Sequence, residues 1–198
     1  MKEKNQLVSA LDTRIAKHVR NLRDGRSLSL DQLAQRSGVS RSMISLIERG
    51  QTSPTAVVLE RIANGLQVAL ASLFEADPDA QNEQIIARAT SQGFWQDPAS
   101  GYRRRNVSPV HELGGQSPPV QIVEVKFPAN TRVMYDGLVQ GAVVHQQIWL
   151  LAGQMQITLG DQVHDLQAGD CLAHRLDRPI TYFNPCTQTA RYAVLITK

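Results

Sequence analysis

The stretch GAVVHQQIWLLAGQMQITLG, residues 141–160, carries one histidine in an alternating apolar run, followed by two glutamines. It reads as a β-hairpin turning at Ala152-Gly153, the kind of unit that builds small β-barrels. Such barrels can hold a metal on His and Glu side chains, but neutral Gln is a poor ligand for a divalent ion. His145 therefore stands alone here, beside Gln146 and Gln147. His164 and His174 fall near strand ends or turns and read as hydrogen-bonding groups. Cys171 and Cys186 lack metal-type spacing and read as reduced, partly buried thiols, with a redox switch as the sharper alternative. Asp161 and Asp165 sit in a polar hairpin and read as solvated. No Ser/His/Asp or Cys/His arrangement follows from spacing. The expectation is no catalytic residue, no metal and no cofactor.

A second chemistry lies in the N-terminal third. Residues 1–74 carry a net charge of +5 and residues 75–198 a net charge of −2. A basic segment beside a slightly acidic one suggests a nucleic-acid-binding head on a different body. Within it, Ser29 is an N-cap with Gln32 three residues on, a capping box, and Gly38 is a stop signal. Ser40 caps the next helix, which stops at Gly50 and carries Arg41, Ser42 and Ser45. Ala34, Val39, Ile44 and Ile47 can pack these helices together, which leaves the other face of the second free for a major groove. Small serines let a backbone approach base edges, and Arg41 is long enough for a bidentate contact with guanine. The N–H groups above Ser29 and Ser40 can hold phosphates.

The elements that must position these residues follow from periodicity. Leu11, Ile15, Val19 and Leu22 lie on one helical face. Ser53-Pro54 signals a further helix start, with Leu59, Ile62, Ala63 and Leu66 on its buried face. Leu70, Leu73 and Phe74 suggest a short fifth helix. Residues 75–102 read as a linker, polar at first, with IIARA as a candidate strand and WQDPASGY rich in turn formers. From residue 103 the period becomes two: VQIVEVKF, AVVHQQIWLL, QMQITL and ITYFN are β-rich, separated by glycines that include Gly114, Gly115 and Gly141.

LSLDQLAQRSGVSRSMISLIERGQTSPTAVVLERIANGL resembles the helix-turn-helix of phage-repressor and Xre-type regulators. The family's helix Ala falls on Ala34, its turn Gly on Gly38, and its IE.G on Ile47, Glu48 and Gly50. The resemblance implies base contacts at Arg41, Ser42, Ser45 and Leu46, and phosphate contacts near Ser40 and Arg49. Leu46 would touch a thymine methyl or pack partly against the neighbouring helix. It also implies a homodimer on a palindromic operator in double-stranded DNA.

HQQIWLLAG and LQAGDCLAHRLDRPITYFN are similar to the two motifs of the cupin family over residues 105–198. The resemblance puts Gln146 at the family's Glu ligand, Ile180 at its second-motif His, and residues 139–142 at its first two His. All the expected ligands are absent. Strand parity groups Gln146, Ile148 and Leu150 on one face, and Ile180, Tyr182 and Asn184 on another. If these face inward, the barrel mouth holds Gln146, Tyr182 and Ile180, with Tyr135 and Arg132 from the preceding strand. That set suits a small organic effector, or simply fills a small barrel core. The opposite face, with His145, Gln147 and Trp149, suits a dimer interface.

The fold expected is thus multidomain α and β. A five-helix helix-turn-helix domain spans 11–74, a linker 75–102, and a cupin-like jelly-roll β-barrel 103–198. The function implied is a sequence-specific DNA-binding transcriptional regulator. A cupin enzyme with an accessory head, or a constitutive repressor whose barrel only dimerises, are the alternatives. No run of about 18 apolar residues is present, so no membrane partner is expected. The N-terminus lacks a secretory apolar core, which suggests the cytoplasm.

Overall fold

A computed structural model describes residues 10–74, 85–109, 120–137 and 144–197. The head contains four α-helices: α1 (Ala10–Gly25), α2 (Leu30–Ser37), α3 (Arg41–Glu48) and α4 (Ala56–Gly65). The fifth helix expected is instead a single 3-10 turn, Leu70–Phe74. Its apolar residues Ala71, Leu73 and Phe74 are buried, but five residues are too few for α-helical pairing to propagate.

Local chemistry sets the helix ends. The Ser29 capping box forms as read, with the Ser29 Oγ accepting from the Gln32 N–H. Gly38 ends α2 at a φ of 67°, in the left-handed region that glycine adopts without strain. The cap of α4 is Thr55, which accepts from the Val58 N–H, and not Ser53. Pro54 therefore lies one residue outside the helix, where it is buried. Leu11, Ile15, Val19, Leu33, Ile44, Ile47, Leu59 and Leu66 form the head's core.

The remaining strands form two antiparallel sheets. The six-stranded sheet runs β1 (Phe94–Gln96), β2 (Arg103–Asn106), β3 (Val120–Phe127), β10 (Ala190–Thr197), β5 (His145–Ala152) and β8 (Cys171–Arg175). The four-stranded sheet runs β4 (Arg132–Tyr135), β9 (Ile180–Phe183), β6 (Gln154–Leu159) and β7 (Gln162–Gln167). Their inner faces meet: Tyr182 of β9 stacks on Tyr192 of β10 at 5.9 Å between ring centres. Among the described residues the sheets face each other without closing into a barrel.

The expected hairpin at Ala152-Gly153 is a corner. β5 pairs with β10 and β8, whereas β6 pairs with β7 and β9. Alternation in sequence is the same on both sides of a hairpin and of a corner, so the pattern could not distinguish them. Gly153 is required at the corner: its φ is 85°, and a Cβ there would lie 3.0 Å from the Ala190 Cα. The IIARA segment forms no strand, and Ile85 and Ile86 are exposed. Residues 94–102, read as linker, carry β1 and a turn packed against the head. The expected linker start at 75–84, the turn glycines Gly114, Gly115 and Gly141, and the 139–142 segment lie outside the described residues.

One apolar core runs through both parts. Phe74 of the head meets Trp95 edge-on at 5.4 Å, Trp95 meets Tyr102 at 5.8 Å, and Tyr102 stacks on Phe127 at 5.7 Å. The joint is also polar. Asp97, buried in the turn after β1, accepts the N–H of Ala56 at the start of α4 at 2.9 Å. Asn64 of α4 donates to the Gly137 carbonyl at 2.8 Å.

Candidate functional site

The first site is the free face of α3. Ile44 and Ile47 are buried against Leu33 and Val39, which fixes α3 across α2. Arg41, Ser42 and Arg49 are then exposed, and Ser45 and Leu46 half-buried. Met43, which sequence reasoning passed over, is exposed as well. The Ser40 Oγ accepts from the Met43 N–H and lies 3.2 Å from the Ser42 Oγ. The Arg41 guanidinium rests 3.2 Å from the Asp31 carboxylate of α2, with both side chains exposed. Arg49 donates to the Gln51 side chain. Ser29 lies at the N-terminus of α2, exposed.

Beneath this face, Arg23 of α1 grips Glu48 of α3. Arg23 Nε and Nη2 donate to the two Glu48 oxygens at 2.7 and 2.8 Å, and Nη1 donates to the Leu28 carbonyl. Hydrogen bonding to Glu48 raises the Arg23 pKa above its ordinary value. Glu48, legible only as part of a motif, thus fixes the tilt of α3 on α1.

The second site is a cavity between head and sandwich. Its volume is about 70 Å³ as open to the centre of a water-sized sphere. At about 10–15 Å³ per water this is room for roughly five waters, or one small ligand. Glu60, Asn64, Leu70 and Ala71 line it from the head. Tyr102, Arg104, Tyr135, Gln146, Tyr182 and Tyr192 line it from the sheets, with Val125, Phe127 and Ile180 among the apolar wall.

Four expected ligand residues, Tyr135, Gln146, Ile180 and Tyr182, therefore come together. Two do not. Ile148 is fully buried in the core and lines no part of the cavity. Arg132 is exposed, with its guanidinium 4.2 Å above the Phe183 ring. Arg132 and Tyr135 are three apart on β4, so the pleat sends them to opposite faces.

Arg104 and Glu60 are the residues sequence reasoning missed. Parity offered the only signal: in YRRRN, Arg103 and Arg105 face outward while Tyr102 and Arg104 face inward. Arg103 covers the Phe94 ring and Arg105 pairs with Glu124. Arg104 is 8% exposed, and its Nε and Nη2 have no hydrogen-bond partner among the described residues. Its guanidinium lies 4.7 Å above the Phe74 ring. Burial presses its pKa below the ordinary arginine value. Burial also holds the surrounding phenols neutral: Tyr102 is pushed up to about 12, and Tyr135, Tyr182 and Tyr192 are raised as well. The Tyr102 and Tyr135 hydroxyls share a 2.8 Å hydrogen bond.

Glu60 of α4 is 6% exposed. Its Oε1 accepts from Asn64 at 2.8 Å, while its Oε2 has no partner among the described residues. Burial raises its pKa above the usual carboxylate range. The cavity therefore presents one unpaired cation from the sheet and one unpaired carboxylate oxygen from the head. No group of three or more His, Cys, Asp and Glu fit for a metal occurs among the described residues. His145 is exposed, and the His174 ring is half-buried with Nδ1 3.1 Å from the Arg175 carbonyl. Cys171 is exposed and Cys186 half-buried, both as free thiols.

Residues 19–73 match the helix-turn-helix family model. The HTH-type transcriptional regulator SutR of Escherichia coli is 25% identical over 90% of this chain and 91% of its own. The HTH-type transcriptional regulator SlrR of Bacillus subtilis is 41% identical over 32% of this chain and 42% of its own. Among solved structures, an HTH_3 family transcriptional regulator from Vibrio cholerae matches with a TM-score of 0.71 and 27% identity. That match covers 95% of this chain and 97% of the other.

Proposed function

We infer that this helix-turn-helix transcriptional regulator reads a palindromic operator in duplex DNA as a homodimer, with a small organic effector seated between head and sandwich. The reading assigns 11–74 to the DNA-binding domain and the β1–β10 sandwich, from Phe94 on, to a cupin-like jelly-roll domain, which extends the expected 103–198 by the strand and turn found in 94–102. It assigns the chain no catalytic step. Operator binding requires the compartment that holds the DNA, the cytoplasm. No helix among the described residues is long and apolar enough to cross a membrane.

The observation that carries the reading is the face of α3: Arg41 and Ser42 are exposed to solvent while Ile44 and Ile47 anchor the helix. Arg41 reads guanine, and Ser42, Ser45 and Leu46 approach neighbouring base edges. Ser29, Ser40 and Arg49 hold phosphates on either side. One such helix spans only a few base pairs, so two heads must act together on half-sites about 34 Å apart or a multiple of that. The outer face of the six-stranded sheet supports the dimer. Trp149 is 48% exposed there, with Ile122 and Ala193 on the same face through the β3–β10–β5 register.

The test is selection of the full chain against a random duplex pool, followed by titration at two salt concentrations. The expected result is an enriched palindrome whose affinity falls steeply with salt. Equal enrichment by an Arg41→Ala/Ser45→Ala variant would overturn this assignment of the reading face.

A further inference from the structure

We propose that the cavity between head and sandwich binds a small amphoteric molecule of amino-acid size, its carboxylate on Arg104 and its ammonium on Glu60. The proposal deepens the effector reading above and rests on it.

Arg104 supplies the first half. A guanidinium buried without hydrogen bonds is costly, and buried arginines are ordinarily paired. Here Nε and Nη2 lack a partner, on a side chain that lines the cavity. Those are the same two nitrogens with which Arg23 grips Glu48 in a two-bond fork. The free fork on Arg104 thus has a worked example in this chain, and its complement is a planar carboxylate. The Phe74 ring covers one side of the guanidinium, so the ligand must meet its edge.

Glu60 supplies the second half. A simple monocarboxylate would satisfy Arg104 but would leave the Glu60 Oε2, in the lining of the same cavity, buried and unpaired. A ligand with a cationic donor satisfies both. Asn64 already occupies Oε1, so Oε2 is the acceptor that remains. Much of the remaining lining is apolar and aromatic, with Val125, Phe127, Ile180 and Tyr182, and suits a short hydrocarbon side chain. The volume suits a group of amino-acid size.

The two anchors belong to different halves of the molecule. Arg104 is on β2 and Glu60 on α4, about one turn along from the α4 N-terminus that Asp97 holds. A ligand that bridges them ties α4 to the sheet and so biases how the head is held. Binding energy gained only in the docked arrangement is what an effector needs in order to shift a conformational equilibrium.

The experiment is calorimetric titration of the full chain with three probe sets. These are the common α-amino acids in both enantiomers, the matching carboxylic acids lacking the amine, and the matching amines lacking the carboxylate. At least one amino acid should bind at one site per chain, and its deaminated and decarboxylated partners about tenfold or more weaker. Arg104→Met should abolish binding while keeping the melting temperature of the ligand-free protein at or above wild type, because it removes an unpaired buried charge. Glu60→Gln should weaken the amino acid about tenfold and leave its deaminated partner unchanged or tighter. Equal binding of an amino acid and its deaminated partner, with no effect of Glu60→Gln, would overturn the amphoteric assignment but leave a carboxylate effector standing. No binding by any probe, in a protein that still selects an operator, would overturn the proposal. A bound probe that leaves operator affinity unchanged would sink the effector role alone.

Discussion

The Asp97 carboxylate accepts the Ala56 N–H at 2.9 Å, so a turn between the first two strands of the sandwich caps the last α-helix of the head. Thr55 satisfies a second donor of the same helix end. Ser100 donates to Asp97 through both its N–H and its hydroxyl, which holds the carboxylate in place. The negative group also sits at the positive end of the α4 dipole.

Asp97→Ala should therefore loosen the joint rather than the sandwich. The expected cost is about 1–3 kcal/mol, from lost capping and from donors left buried. Hydrogen exchange should show the first turn of α4 opening while β3 and β10 remain protected. Uniform loss of protection across both domains would contradict a local role.

The pair Arg23–Glu48 makes a separate prediction. Its side chains are only 12% and 8% exposed, so removing Glu48 leaves the Arg23 Nε and Nη2 without their partner, with Asp24 and the Leu28 carbonyl held by Nη1 alone. Glu48→Ala should destabilise the chain by about 3 kcal/mol in urea denaturation. The double variant Arg23→Met/Glu48→Leu should recover much of the stability, since no charge then remains unpaired. Operator affinity should stay low in the double variant, because the fork that sets the tilt of α3 is gone.

Arg41 rests on Asp31 in the free protein, and both are exposed, so the ion pair adds little stability. On the proposed reading of α3, Asp31 competes with DNA for Arg41. Asp31→Asn should leave the melting temperature unchanged and tighten operator binding, whereas Arg41→Ala should cost about 1–3 kcal/mol of affinity at the guanine proposed for it. Leu46→Ala should relax preference at a thymine; an unchanged selected sequence would show that Leu46 only packs.

Glu60 gives the stability a pH dependence of known sign. Burial raises its folded pKa above the unfolded value, with Asp136 adding to the rise and Asn64, Gly137 and Arg61 opposing it. Stability linked to this group is full below the ordinary carboxylate range and declines as pH rises through the folded pKa. Glu60→Gln should remove that decline. Ligand-free, the variant should melt higher than wild type at neutral pH, with the gap closing in acid. A constant gap across pH would show that the carboxylate is fully solvated.

Much of the head was legible because its signals are local. Ser29 with Gln32, Gly38 and Ser40 each act within one turn of chain, and all three behave as read. The Arg23–Glu48 fork was not legible, because its partners are 25 residues apart and no periodicity relates them. In the sandwich, β3 and β6 match the alternating runs residue for residue. Strand direction at a glycine was not legible: the step from β5 to β6 depends on the approach of Ala190, far along the chain. The cavity was half legible. Gln146, Ile180 and Tyr182 followed from parity, whereas Arg104 lay in a basic run that composition alone reads as a solvated face. Glu60 was hidden for a different reason, since a residue of the head had no evident business in the barrel mouth.

The chain holds two tryptophans, and the fold gives them opposite surroundings. Trp95 is 2% exposed, wedged between Phe74 and Tyr102 at the joint, while Trp149 is 48% exposed on the outer sheet. The molecule thus carries two native optical reporters. Iodide in solution reaches the indole of Trp149 and not that of Trp95, so quenching reports whether the outer face is covered. The unquenched, blue-shifted remainder reports whether the head is docked, and neither reading requires an introduced label.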